Sequence, residues 1–301
     1  MTQNQSFVDR MLRWKVYSLG YAKHVTDRIF KILEDTSPEI RKELLNLFAT
    51  GANGRLSVRL KVAEQRLTRI RGRAWNQAER ETVAALIDLF DEEIREMVRA
   101  SPTKLSLPDP KSLLPRVLVV GHNIKDWFKS FFTSDLRRLI GQVRISVLAG
   151  ESLQQLFKRI MGKLSAVMAS VKRAVSSIIP TAISAWGAKV KDAMASLNSD
   201  VFNLELWVSI LDNRTTKGCF DLHGKTFERG KGIQPGYHFY CRSDRIPLFT
   251  DGGSSVVSNY SAWIGTQDAR FKRYVGEGEF SYNNLRPLSL QQVKERISGS
   301  S

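Results

Sequence analysis

Both cysteines of this chain, Cys219 and Cys241, and two of its four histidines, His223 and His238, fall within 23 consecutive positions. Their order is Cys-x3-His, fourteen intervening residues, then His-x2-Cys. Two short pairs closed by a longer loop suit a tetrahedral zinc ion with two thiolates and two imidazoles, Cys219, His223, His238 and Cys241. Such an ion stabilises a fold directly, because the ligands come together only in the folded state. Two other readings stay open: a metal-free knot of buried thiols and hydrogen-bonded imidazoles, and a disulfide between the two cysteines.

Catalysis is not expected from this stretch. Zinc deaminases need His-x-Glu with Pro-Cys-x-x-Cys, and neither occurs. Gly224 and Lys225 follow His223, so no carboxylate stands there as a general base. No glycine-rich phosphate loop opens a helix anywhere in the sequence. The expectation is a non-enzymatic protein.

The elements that must position this stretch are mostly helical. Phe7 to about Glu34 is amphipathic, and Asp35-Thr36-Ser37-Pro38 reads as a cap followed by a first-turn proline. A short helix to about Phe48 follows, broken by Gly51-Ala52-Asn53-Gly54. In Arg55–Arg73, Leu56, Leu60, Ala63, Leu67 and Ile70 form an apolar stripe. Arg55, Arg59, Arg66, Arg69 and Arg73 line the neighbouring stripe, suited to phosphates, to an acidic protein, or to pairing with the acidic segment 79–96.

Ser101–Pro115 holds four prolines and reads as a linker. Helices are expected over 126–140, 152–161 and 162–199, the last kinked or split at Pro180. Phe202 to Leu211 changes period and reads as a strand, Gly252-Gly253-Ser254-Ser255 reads as a loop, and Ser289 to Ile297 as a last helix. The fold class is therefore mainly α with a small β-containing Cys/His-rich subdomain (α+β) and a helical N-terminal arm. The expected organisation is a helical region 1–100, a linker 101–115, a helical body 116–200, and an α+β domain 201–301.

A net charge of +16 over 301 residues favours an anionic partner, nucleic acid or an acidic protein surface. The middle third, residues 101–200, carries 15 basic against 6 acidic side chains. No apolar run approaches the roughly 18–20 residues that span a bilayer. The chain start lacks the pattern of an export signal, so an intracellular, soluble protein with no membrane partner is expected.

The Cys/His stretch also resembles a known family. Leu211-Asp212-x-Arg214-Thr215, Cys219, Leu222-x-Gly224-Lys225-x-Phe227, Pro235-x-x-His238-x-x-Cys241-Arg242-Ser243 and Pro247 together resemble the phage minor head, or head-morphogenesis, proteins of the phage Mu protein F type. The likeness spans roughly residues 115–290 and is densest at 203–248. Cys219, His238 and Cys241 match recurring family positions. His223 stands where many relatives carry aspartate, and Ser243 where many carry cysteine.

The resemblance implies a virion component made in the host cytoplasm and carried inside the phage head. Its partners would be the portal protein, the major capsid protein and packaged double-stranded DNA, and it would assist assembly or genome ejection. The candidates for non-specific DNA contact are Arg137, Arg138, Arg144, Lys158, Arg159, Lys172 and Arg173. Asp212, Arg214, Thr215, Gly224, Lys225 and Arg242 are the structural positions of the motif, and the Cys/His spacing makes a structural zinc ion the candidate cofactor. The alternative is a zinc-stabilised DNA-binding protein, indifferent to sequence, acting in the cytoplasm.

Overall fold

A computed structural model describes residues 2–49, 55–161, 166–250, 260–276 and 280–298. The breaks expected at Gly51–Gly54 and Gly252–Ser255 lie outside the described residues. The helices are α1 (Gln3–Glu34), α2 (Ser37–Phe48), α3 (Leu56–Ala100), α4 (Pro110–Leu113), α5 (Ile124–Leu148), α6 (Leu153–Met161) and α7 (Ala166–Leu197). Strand β1 (Phe202–Val208), helix α8 (Lys217–Leu222), β2 (Thr226–Glu228) and β3 (Asp244–Phe249) follow, and α9 (Tyr260–Thr266), α10 (Ala269–Val275) and α11 (Leu290–Ser298) complete the order. The chain is mainly α with one small antiparallel sheet, in the order β2-β1-β3. Among the described residues, no helix is long and apolar enough to cross a membrane.

Two compact units emerge, each discontinuous in sequence. Unit 1 gathers Met1–Val25, Ala84–Asn123 and Ile178–Ser301; unit 2 gathers Thr26–Val83 and Ile124–Ser177. Three of the four dividing points fall inside α1, α3 and α7, and the fourth falls just ahead of α5.

Unit 2 is held by facing helical stripes. Ile40, Leu44 and Leu47 of α2 share a core with Ala63, Leu67 and Ile70 of α3, Leu139 and Val143 of α5, and Leu156 and Ile160 of α6. These positions recur at three- and four-residue steps, so each helix offers one apolar face. Beside this core the buried carboxylate of Asp135 accepts from Arg71 Nε and Trp75 Nε1, each at 2.8 Å. The Thr36 hydroxyl donates backward to Leu33 O at 2.6 Å, so it closes the end of α1 rather than capping α2.

The arginine row of α3 does not pair with residues 79–96. Those residues continue the same 45-residue helix, and one continuous helix does not fold back upon itself. Arg66 instead meets Glu43 at 3.1 Å and Arg73 meets Glu39 at 2.6 Å, both acids from α2, while Arg59 donates to Ala49 O at 2.9 Å.

Unit 1 holds the sheet and what braces it. Phe7 of α1 packs edge-on against Phe249, with ring centroids 5.1 Å apart. Asn4 extends β3 with its side chain, accepting from Phe249 N at 2.8 Å and donating to Phe249 O at 3.2 Å. The first residues of the chain are thus fastened to the sheet. Segment 101–115 is fastened too: Ser106 N–H donates to Asn198 Oδ1 at 2.7 Å, and Asn198 Nδ2 donates to Ser106 O at 2.9 Å. Helix α7 runs on as one helix through Pro180. Its buried Lys191 bridges Glu93 of α3 and Asp244 of β3, the latter at 3.1 Å.

Candidate metal centre

Strand β1 delivers its chain into the motif through a tight hydrogen-bonded corner. Asp212 N–H donates to Thr215 Oγ1 at 2.9 Å, Arg214 N–H donates to Asp212 Oδ1 at 3.0 Å, and the Thr215 hydroxyl donates to Ile210 O at 2.8 Å. These are the local side-chain turns that aspartate and threonine favour. Thr216 then caps α8, its hydroxyl accepting from Cys219 N, which sets Cys219 on the first turn facing inward. Gly224 ends α8 with φ of +80°, a conformation that suits a residue without Cβ. Its N–H meets Trp207 O at 2.9 Å, and Trp207 N–H meets Lys225 O at 2.8 Å, which lays β2 beside β1.

The chain returns to the site over a loop held by Arg245 of β3. Arg245 is fully buried, pairs with Glu205 of β1 at 2.7 Å and donates to Lys231 O at 2.6 Å. At Gly236 the loop touches α7: with φ of +89°, an added Cβ would lie 2.5 Å from Ala185 Cβ. Two residues later comes His238, and then Cys241.

Cys219, His238 and Cys241 converge, their ligand atoms all within 4.8 Å of one another. Trp207, Cys219 and Cys241 form a small core that Leu222 and Phe227 cover. His238 Nε2 lies 3.0 Å from Cys219 Sγ, and its Nδ1–H donates to Phe239 O at 2.7 Å. That second bond fixes the ring and leaves Nε2 facing the sulfurs, the arrangement that orients metal-ligating histidines. Both thiols are free and buried.

Protons fill this site in a definite pattern. A hydrogen bond from Cys241, opposed by burial and aided by His238, pulls the Cys219 thiol down to about 3. That same hydrogen bond, with burial, pushes Cys241 well above the ordinary thiol value. His238 is raised, chiefly by its hydrogen bond to Cys219. The two thiols are thus pushed apart, with the negative charge favoured on Cys219 and the proton on Cys241.

The donor set fits a metal ion. Around tetrahedral zinc, sulfur and nitrogen would stand about 3.6 Å apart and two sulfurs about 3.8 Å apart, from the usual bond lengths. All three ligand atoms lie within 4.8 Å of one another, and the Cys219–His238 pair, at 3.0 Å, would open by roughly half an ångström on exchanging a proton for an ion. A Cys219–His238–Cys241 group can therefore hold a metal.

His223, grouped with these ligands by its spacing, is not brought to them. Its Nδ1 accepts from Ser209 N–H at 3.0 Å, at the far end of α8. Four positions outside the Cys/His pattern support the site instead. Ser209 Oγ accepts from Trp207 Nε1 at 2.8 Å and donates to Cys219 O at 2.6 Å, while Ser243 Oγ stands 3.0 Å away. Tyr237 OH lies 3.6 Å from Cys219 Sγ, and Thr216 Oγ1 lies 3.3 Å from His238 Nε2. Of these, Ser243 belongs to the motif already quoted, and Thr216 carries a readable signal as a threonine just ahead of a helix.

The other motif residues close the site from outside. Arg242 grips buried Asp212 with both guanidinium prongs, at 2.5 and 2.7 Å. Tyr282 N–H donates to the same carboxylate at 3.1 Å. Burial pushes Asp212 upward, but the Arg242 bonds and charge and the two backbone N–H groups outweigh it, leaving the acid below its ordinary value. Arg214 reaches Asn283 Oδ1 at 3.1 Å.

All seven basic candidates fall in unit 2. Arg137, Arg138, Lys158, Lys172 and Arg173 are exposed. Arg144 is exposed but clasps Glu64 at 2.5 and 2.8 Å, and Arg159 is engaged by Glu151 and by Ser146 at 2.6 Å. Unit 2 holds 22 basic and 11 acidic side chains, net +11 of the chain's +16, in 112 of its 301 residues.

Compared with protein-family models, curated proteins and solved structures, the chain matches none.

Proposed function

We propose that this chain is a structural head protein of a tailed phage. In this reading it docks at the portal vertex inside the capsid and meets packaged double-stranded DNA through the basic side chains of unit 2. A zinc ion on Cys219, His238 and Cys241 closes its sheet-bearing module. The major capsid protein is its further neighbour, and assembly or genome ejection the step it serves.

The observation that carries this reading is the convergence of the motif. Residues separated by up to 30 positions, Asp212 and Arg242, form one buried ion pair. Thr215 closes the same corner, and Cys219, His238 and Cys241 share one cluster. A set of residues that resembles the minor head proteins in order and spacing also behaves as one structural clasp. The cavity beside it measures about 20 Å³, room for one water and far below the several hundred Å³ of a small-molecule substrate site.

The concentration of charge in unit 2 favours one second reading, a zinc-stabilised DNA-binding protein acting in the cytoplasm. Contacts of that kind position the protein on phosphates without reading bases. Composition of purified virions separates the two. The head-protein reading expects this chain in fixed, low copy number and in complexes with portal rings. Its absence from virions would overturn that reading and leave the cytoplasmic one.

A further inference from the structure

Three protein donors leave a tetrahedral ion one position short. Among the described residues, no fourth histidine, cysteine, aspartate or glutamate joins Cys219, His238 and Cys241. The nearest candidate by sequence, His223, has its Nδ1 occupied by Ser209 N–H. Cys241 is sealed in the core, and a cavity of about 20 Å³ opens on Cys219 and His238, lined also by Arg214, Thr216, Tyr240 and Arg242. That volume holds one water-sized ligand.

The lining gives this cavity a preference. Arg242 is neutralised by Asp212, whereas Arg214 is exposed and its guanidinium donates to the uncharged amide of Asn283. Thr216 places a hydroxyl 3.3 Å from His238 Nε2. With Arg214 lining the cavity and the Thr216 hydroxyl beside His238, a small anion is favoured over a neutral donor.

We infer that the metal at Cys219, His238 and Cys241 takes its fourth ligand from solution, a hydroxide or other small monodentate anion seated in the cavity under Arg214 and Thr216. This rests on the metal reading above. It makes the centre an exchangeable three-ligand site, unlike structural zinc sites closed by four protein ligands.

The test uses the full chain produced with Co2+ as the probe metal and titrated with sodium azide. Metal content is measured on the same samples. About one cobalt per chain, with a saturable change in the visible cobalt bands on adding azide, is the expected result. Arg214→Ala should keep the cobalt content and weaken azide binding roughly three- to tenfold, the effect of removing one nearby charge. One bound cobalt with bands indifferent to azide would assign the fourth position to a donor of the chain such as Tyr237, overturning this inference while leaving the metal reading intact. Failure to take up cobalt or zinc would overturn both.

Discussion

His238 points Nε2 at the Cys219 sulfur, 3.0 Å away, while its Nδ1–H is spent on the carbonyl of the next residue, Phe239, at 2.7 Å. The ring cannot turn without losing one of these bonds. A lone histidine near a thiol is common, but a histidine whose far nitrogen is already tied to a carbonyl is set as a ligand. With the buried Cys241 beside it, the pair becomes a three-donor centre between α8 and the loop that leads into β3.

The two histidines of the stretch should therefore behave differently. His238→Ala and Cys241→Ser each remove a donor and should lower zinc affinity at least tenfold, with new protease cleavage within 203–248. His223→Ala should leave the zinc content unchanged, because that ring is engaged by Ser209 rather than by the cluster. Metal analysis of the purified variants, with limited proteolysis, checks this; loss of zinc in His223→Ala alone would reverse the assignment.

Arg242→Ala strands the buried carboxylate of Asp212 and should cost about 3 kcal/mol, as breaking a buried pair from one side does. Denaturant unfolding of the metal-loaded protein measures it. The pH dependence follows from the lowered Asp212 acidity. A depressed acid binds fewer protons folded than unfolded, so its stabilisation is full above an ordinary aspartate pKa of about 4 and fades as pH falls through the lower folded value. Asp212→Asn should be less stable at neutral pH and show a shallower loss from about pH 5 downward. An acid limb identical to that of the unmodified protein would show that Asp212 does not contribute to it.

Gly236→Ala tests the approach of the returning loop to α7. The substitution meets a positive φ and a contact of 2.5 Å with Ala185 Cβ. Both penalties act on the folded state, so a loss of about 2 kcal/mol or more is expected. Displacing this loop also displaces His238, two residues on, so zinc affinity should fall with stability. Unchanged melting temperature and metal content would show that the loop is seated without this contact.

Duplex DNA binding should trace to unit 2. Replacing Arg137, Arg138, Lys172 and Arg173 by glutamine should weaken non-specific binding and reduce the slope of log affinity against log salt by about one for each phosphate no longer neutralised. Arg144→Gln should matter less, because Glu64 already holds that guanidinium. Titrations at several salt concentrations read both effects, and a slope unmoved by the fourfold variant would place the DNA-binding face elsewhere.

Much of the fold is legible from periodicity. The stripe Ala63, Leu67, Ile70 and the motif cluster Cys219, His238, Cys241 are where spacing places them, because helical faces and metal pairs are local patterns. What is not legible is long-range. Nothing local announces that Asn4 hydrogen-bonds to Phe249, or that Lys191 joins Glu93 to Asp244. The arginine row misleads because nothing in the residues around Gly72 and Arg73 signals that helix α3 continues through the acidic segment to Ala100. His223 shares the ligand spacing alone, and the turn that ends its helix redirects it. Spacing counts residues; the direction of a side chain depends on the cap and the glycine after it.

Zinc itself is the most direct readout of the centre. Elemental analysis of the full-length protein, purified without chelator, should find about one zinc per chain, absent from the double variant His238→Ala/Cys241→Ser. A protein free of zinc as isolated and after incubation with it, yet folded and protease-resistant across 203–248, would contradict the metal centre and leave Cys219, His238 and Cys241 as a hydrogen-bonded knot.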